Sequence, residues 1–309
     1  MRRYGIVGAG AVGGYFGFRI AASGRSVHFL VRGATLAALR GRGLRVTTEG
    51  VPRAVAVEAS DDPAGLGECD TVLVTVKNPD LEGALEAVRG GLAEKAFAVT
   101  LQNGLDAPRA ARRVLGAGRV VAGIAYLGAE AAAPGEILHT GLGLLTVGEP
   151  EGGPSARCQA LAEDLNACGI PTRTSERIEE DLWKKLAWNA AFNGPTALAR
   201  CSPAALAADP EGRALARALI QEVLEAARTT KLDLPATLAD DQIRLSEPLT
   251  ELRTSMLQDL EAGRPMEIEA LYTRTLRLLR EAGKPAPAHQ AVVALLSAAR
   301  SSFRAYRSR

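Results

Sequence analysis

Tyr4-Gly5-Ile6-Val7-Gly8-Ala9-Gly10-Ala11-Val12-Gly13 reads as a short buried strand running into a glycine turn. An amphipathic helix then continues to about residue 23, Gly24 ends it, and residues 26–31 read as a second strand. A GxGxxG triplet alone is weak evidence. Here it follows a strand, opens a helix and is closed by a second strand within about 30 residues, the context that makes it specific for a dinucleotide. Gly8 allows the tight turn, Gly10 lets the backbone approach a pyrophosphate, and Gly13 lets helix and strand pack closely. Gly8, Ala9, Gly10, Ala11, Val12 and Gly13 are the first candidate cofactor contacts, and the helix N-terminus adds free N–H groups and a positive dipole end.

Arg32 follows the second strand. Sites for NAD usually carry Asp or Glu there, about 20 residues beyond the glycines, to hold the ribose 2′-hydroxyl. Neither acid occurs between Gly24 and Thr48. An arginine suits the 2′-phosphate of NADP instead; the alternative is an ordinary surface arginine. Further strands are expected at 54–58, 71–76, 96–101 and 120–125, with a late hairpin from 137–140 and 143–148, a helix at 156–168 and a strand at 170–174. In a parallel sheet the strand C-termini line the ligand crevice, which puts Lys77 and Asn103 beside the cofactor. The lesser alternative for each is a solvated loop residue or a turn former.

Strand patterns stop after Thr174. Helices are expected at 176–193, 210–231, 235–245, 249–262, 265–282 and 286–301, with breaks at Gly194-Pro195, Pro210, Pro235, Gly263 with Pro265, and Gly283 with Pro285. The chain thus divides into an α/β part, residues 1–175, and a mostly α-helical part, residues 176–309. Lys185, Asn189 and Asn193 fall at i, i+4 and i+8 of the first of these helices, a drift of only about 40° per step, so they share one face. Between and beside them, residues 186–188 and 190–192 are Leu, Trp, Ala and Phe. Burying such a polar strip unpaired costs about 2–7 kcal/mol per group, so the strip faces protein, water or a ligand. Ser255 and Asp259 lie one turn apart, and Glu267 falls in the first turn of the next helix. Taken alone, Ser255 could bond back to its own helix, and Glu267 could simply favour the helix dipole.

Composition sets outer bounds. The apolar fraction is 47% and the charged fraction 23%, typical of a folded globular chain. A net charge of +2 without a basic block, apart from the end Arg304-Ala305-Tyr306-Arg307-Ser308-Arg309, argues against a nucleic-acid partner; that tail is expected to be frayed and solvated. Cys69, Cys158, Cys168 and Cys201 form no CxxC pair and suit neither a metal site nor a disulfide framework, so no metal is expected. No apolar run reaches the 18–20 or so residues that span a bilayer, and no signal-peptide pattern precedes the first strand, so a cytoplasmic protein with reduced thiols and no membrane partner is expected.

The chain resembles the ketopantoate reductase (2-dehydropantoate 2-reductase) family over nearly its whole length. The motifs that carry the resemblance are Gly8–Gly13, Arg32, Lys77, Gln102-Asn103-Gly104, the helix around Lys185, and Ser255-Met256-Leu257-Gln258-Asp259 followed by Glu267. It implies a Rossmann-type N-terminal domain that binds NADP (as NADPH), a helical substrate and catalytic domain, and reduction of the 2-keto group of ketopantoate to pantoate, a step towards pantothenate and coenzyme A. It implies that Lys185 is the general acid, and that Asn189, Asn193 and Ser255 contact the 2-oxoacid. Glu267 would hold the lysine or the product hydroxyl and belongs with Lys77 and Asn103 among the cofactor contacts, Asn103 reaching the substrate as well. Where the family usually has Pro-Leu-Thr after the second asparagine, this chain has Gly194-Pro195-Thr196, which predicts a shifted helix end.

The chemistry fits without the resemblance. Hydride reduction of a ketone builds negative charge on oxygen and needs a positioned proton donor. His28, His139 and His289 lie on no polar strip, whereas Lys185 does, and an ammonium both donates a proton and stabilises an alkoxide. Two other readings stay open: a related dehydrogenase acting on a different oxo or hydroxy acid, and a non-catalytic NADP-binding redox sensor. The sequence does not fix an oligomeric state, and a homodimer is compatible with it.

Overall fold

The computed structural model describes residues 2–307, with side chains described as far as residue 300. The side chains of the arginine-rich end from Arg304, and its last two residues altogether, lie outside the described residues. The chain divides into two compact units, Met1–Glu179 and Glu180–Arg309.

The first unit is α/β. In chain order it contains β1 (Tyr4–Val7), α1 (Ala11–Ala22), β2 (Val27–Leu30), α2 (Gly33–Arg42), β3 (Leu44–Thr48), β4 (Val51–Val55), β5 (Glu58–Ser60) and β6 (Thr71–Val74). After these come α3 (Leu81–Gly91), β7 (Phe97–Thr100), α4 (Ala107–Leu115), β8 (Val120–Ala133), β9 (Glu136–Gly148), α5 (Ala156–Ala167) and β10 (Thr172–Thr174). The sheet order is β4-β3-β9-β8-β7-β6-β1-β2-β5, and β10 pairs with β9. From β5 to β8 every pairing is parallel. β1 lies between β2 and β6, so the chain reverses direction across the sheet there, and a crevice opens beyond the strand C-termini at such a point.

Strand side chains alternate between two cores, as a period of two requires. Tyr4, Ile6 and Leu73 join α1, α2 and α5 on one face, while Val7, Val72 and Val74 join α3 and α4 on the other. Both faces are covered, which is why these strands read as continuous apolar runs.

Two expectations for this unit need correction. The late hairpin does not exist as such: 137–140 and 143–148 belong to the single strand β9, which pairs antiparallel with β8 around Pro134-Gly135. The glycines that suggested a turn absorb irregularities in that ladder, with Leu142 at φ 55° and Gly143 at φ 126°. The run 54–58 is the end of β4 and the start of β5, and the unforeseen β3 pairs with β4 across Glu49 and Gly50, both at positive φ.

The second unit is helical: α6 (Ile178–Ala199), α7 (Pro203–Ala208), α8 (Pro210–Thr229), α9 (Leu238–Ser246), α10 (Ser255–Glu261), α11 (Arg274–Glu281) and α12 (Pro287–Arg307). Asp209 caps α8 by accepting from the Gly212 N–H at 2.7 Å, with Pro210 in the first turn. α8 buries Ala216, Leu219, Ile220, Val223, Leu224 and Ala227 and packs against α7, α9, α11 and α12. The short α7 was not anticipated, α10 starts later than 249, and a π-helical turn, Glu269–Thr273, leads into α11.

The largest departure concerns α6, which does not end at Asn193 but carries Pro195 within it. Proline removes one rung of the helical ladder and crowds the carbonyl four residues back. The neighbouring positions are held by side chains instead. The Gly194 N–H donates to the Tyr272 hydroxyl at 2.8 Å, that hydroxyl donates to the Ala190 carbonyl at 2.9 Å, and the Thr196 hydroxyl donates to the Phe192 carbonyl at 2.6 Å.

The glycine turn tests this packing. A Cβ on Gly13 would overlap the Gly8 carbonyl and the Thr75 hydroxyl, whereas a Cβ on Gly10 meets nothing within 4 Å. Gly13→Ala should therefore cost about 1–3 kcal/mol of stability as an overpacking change. Gly10→Ala, at the N-cap of α1, should stay below about 1 kcal/mol. Urea midpoints of the two variants measure the ranking, and equal losses would contradict it.

Candidate functional site

In the first unit, the candidate cofactor residues gather beyond the C-termini of the central parallel strands. Gly8 follows β1 with φ 92°, a conformation L side chains avoid, and a Cβ there would lie 2.9 Å from the Val76 side chain. Gly10 caps α1 without a side-chain hydrogen bond, and the first turn of α1 contains no acid. The free N–H groups of α1 and the open space over Gly10 fit a pyrophosphate. Arg32, exposed, follows β2 and caps α2, whose first turn also lacks an acid.

Lys77 is exposed after β6, and Asn103 is half-buried after β7. Their loops are tied together. Asn78 Nδ2 donates to the Asn103 carbonyl at 3.1 Å, and Gln102 Nε2 donates to the carbonyls of Val74 and Val76 at 2.9 and 3.0 Å. Thr75 plays the corresponding part for the glycine turn: its hydroxyl bridges the Val7 and Gly8 carbonyls at 2.9 and 2.8 Å. Sequence reasoning singled out neither the Thr75 bridge nor the Gln102 brace. A threonine at the end of a Val-rich strand carries no local mark of what it bonds.

In the second unit, Lys185, Asn189 and Asn193 sit on α6 as the spacing predicts. Asn189 and Asn193 are only 4% and 2% exposed. Asn189 Nδ2 is buried with no hydrogen-bond partner among the described residues, a donor left for a group from outside them. Burial pushes the Lys185 ammonium down from its ordinary value to about 8, and the Glu267 carboxylate pulls it back up. Lys184, one residue away, turns instead to Asp181 at 3.5 Å and Glu180 at 4.0 Å.

Other elements of the unit hold α6 in place. Trp188 Nε1 donates to the Ser246 hydroxyl at 2.9 Å, and Gln242 Nε2 donates to the Lys184 carbonyl at 3.3 Å. Thr196 and Thr254 share a hydroxyl hydrogen bond of 2.9 Å, and Thr254 caps α10. That pair sets the start of α10, where Ser255 is exposed in the first turn. Ser255 therefore does not bond back into a helical interior. Asp259, on the same helix, is buried and pairs with Arg264 at 3.0 Å, a structural use. Glu267 precedes the π-helical turn, half-buried, with its carbonyl accepting from the Leu271 N–H at 3.2 Å.

The arrangement couples a desolvated ammonium, its counter-carboxylate and an unmatched amide donor, a set suited to an anionic substrate whose oxygen gains charge during reaction. Among the described residues, no group of three or more His, Cys, Asp or Glu could hold a metal ion, and no helix is long and apolar enough to cross a membrane.

The 2-dehydropantoate 2-reductase of Mesorhizobium japonicum is 34% identical, over 94% of this chain and 95% of its own. The crystal structure of a PanE/ApbA family ketopantoate reductase from Ralstonia eutropha JMP134 has a TM-score of 0.89 at 31% identity, covering 98% of this chain and 99% of its own. A D-mandelate dehydrogenase, in a ternary structure with NADH and anilino(oxo)acetate, shares the fold with a TM-score of 0.90 at 20% identity, covering 98% of this chain and 99% of its own. Residues 4–152 match the family Ketopantoate reductase PanE/ApbA, and residues 177–300 match the C-terminal part of the same family. With both halves matched, the chain belongs to the PanE/ApbA ketopantoate reductase family.

Proposed function

We propose that the chain reduces the 2-keto group of ketopantoate to pantoate with NADPH, residues 1–175 binding the cofactor and residues 176–309 supplying the catalytic and substrate groups. The observation that carries this reading is the buried, unpartnered Asn189 Nδ2 one helical turn from the desolvated Lys185. An amide donor and an ammonium on one face match a carboxylate beside a carbonyl, the two adjoining groups of a 2-oxoacid. The membership of the family supports the same substrate class.

The reduced nicotinamide, when bound, supplies the hydride. Lys185 Nζ gives its proton to the carbonyl oxygen and stabilises the negative charge as it grows there. Asn189, Asn193 and Ser255 donate to the substrate's oxygens, and Asn103 reaches both substrate and cofactor. Glu267 holds the lysine charged and adjoins the cofactor. Gly8 to Gly13 cradle the pyrophosphate, Lys77 flanks it, and Arg32 takes the 2′-phosphate. A lysine pushed down to about 8 is a better proton donor than an ordinary one, yet still charged at neutral pH.

The direct test follows consumption of NADPH with ketopantoate and with 2-oxoisovalerate, which lacks the hydroxymethyl group. A site built to bond that hydroxyl loses about 10²-fold or more in kcat/KM on the shorter acid, because a polar group is left unpaired. Comparable efficiencies, or turnover only of another oxoacid, would favour a related dehydrogenase with a different substrate.

Arg32→Ala should weaken NADPH binding about 10-fold or more by removing a charge-assisted contact, and leave NADH nearly unaffected. Equal losses, read by fluorescence titration, would mean that Arg32 does not face the 2′-phosphate.

The pH profile follows from Lys185. Its proton is present below about 8 and lost above it, so the rate of reduction should fall as pH rises through about 8. Glu267 raises the lysine's pKa, so Glu267→Gln should move that fall to lower pH. A profile that stayed in place, or moved upward, would remove Glu267 as the counter-charge.

A further inference from the structure

Tyr272 is fully buried, and its phenol oxygen bridges the Gly194 N–H and the Ala190 carbonyl, groups four residues apart that form one rung of a regular helix. The next rung is missing its donor, because Pro195 lies within α6. Ala190 and Gly194 directly follow Asn189 and Asn193, so the phenol grips the backbone beside both asparagines. Gly194 is shaped for this approach: a Cβ there would overlap the Tyr272 hydroxyl and meet Val292 at 2.8 Å.

The tyrosine is itself supported from behind. Its ring packs edge-on against His289, centroids 5.6 Å apart at 64°. His289 Nδ1 lies 2.6 Å from the Glu222 carboxylate, which also accepts the N–H groups of Ala288 and His289 at 2.8 and 2.9 Å and so caps the first turn of α12. Tyr272 also stands on the short segment that begins with Glu267, the counter-charge of Lys185. One segment therefore reaches α6 at both ends of the polar strip.

We propose that Tyr272 is a positioning residue that keeps α6 straight through Gly194-Pro195 and thereby sets the spacing of Asn193 relative to Lys185 and Asn189. This inference rests on the reading in which those asparagines hold the 2-oxoacid. Tyr272 touches no reacting atom. It works by bridging, through its hydroxyl, the Ala190–Gly194 rung that adjoins the one Pro195 leaves without a donor. The effect belongs to substrate binding and not to the proton transfer, because Lys185 lies two turns N-terminal of the grip.

Tyr272→Phe keeps the ring and its packing and removes only the bridging oxygen. Amide hydrogen exchange of the holoenzyme with NADPH should speed up about tenfold over residues 190–199 and stay unchanged over 182–188, as loss of one buried hydrogen-bond bridge implies. The KM for the 2-oxoacid should rise about tenfold, with kcat and NADPH affinity within about threefold of the parent. Pro195→Ala restores a backbone N–H, so the same Tyr272→Phe change made in that background should raise KM less. Unchanged exchange over 190–199 would overturn the proposal. So would a fall in kcat and thermal stability at constant KM, or a KM effect that Pro195→Ala leaves intact. Should the parent fail to reduce ketopantoate, the substrate reading falls, and the exchange result decides the role of Tyr272 by itself.

Discussion

Lys185 carries a charge beside a helical stretch, residues 186–192, that is apolar apart from Asn189, and taking an ammonium out of water costs several kcal/mol unless a partner offsets it. Much of the helical unit serves that constraint. Glu267 supplies opposite charge, while burial keeps the ammonium ready to release its proton. The helix that bears it is braced by side chains from separate elements: Gln242 and Ser246 on α9, Thr254 ahead of α10, and Tyr272 ahead of α11.

The α/β unit obeys a different constraint, one of volume. α1 approaches β1 so closely that no side chain fits at Gly13, and the Gly8 turn passes against Val76. Thr75 and Gln102 then fasten the ends of β1, β6 and β7 through backbone carbonyls. The crevice owes its form to close packing beneath it, and its chemistry to the few polar groups left facing outward.

Features that depend on local sterics or helical spacing could be read directly from the residues. The glycine turn is legible because each glycine answers a nearby steric demand. The strip of Lys185, Asn189 and Asn193 is legible because their spacing follows from helix geometry alone. Features that depend on distant partners were not. The continuation of α6 past Pro195 relies on a tyrosine hydroxyl from position 272, and no window around the proline contains it. Gly141 and Gly143 look like a turn until β8 is placed alongside them. Ser255 reads as an ordinary helical serine until Thr254 is seen to cap α10, which leaves its neighbour exposed at the helix start.

The proposed acid chemistry lies on one face of α6. Single-turnover reduction of ketopantoate by enzyme preloaded with NADPH, compared between Lys185→Ala and Lys184→Ala, measures it most directly. Lys185→Ala should slow the turnover by about 10²–10⁴-fold with NADPH affinity preserved, and Lys184→Ala, about 100° around the helix, should change it little. A larger loss for Lys184→Ala, or equal losses for the two, would contradict the assignment of the acid to that face.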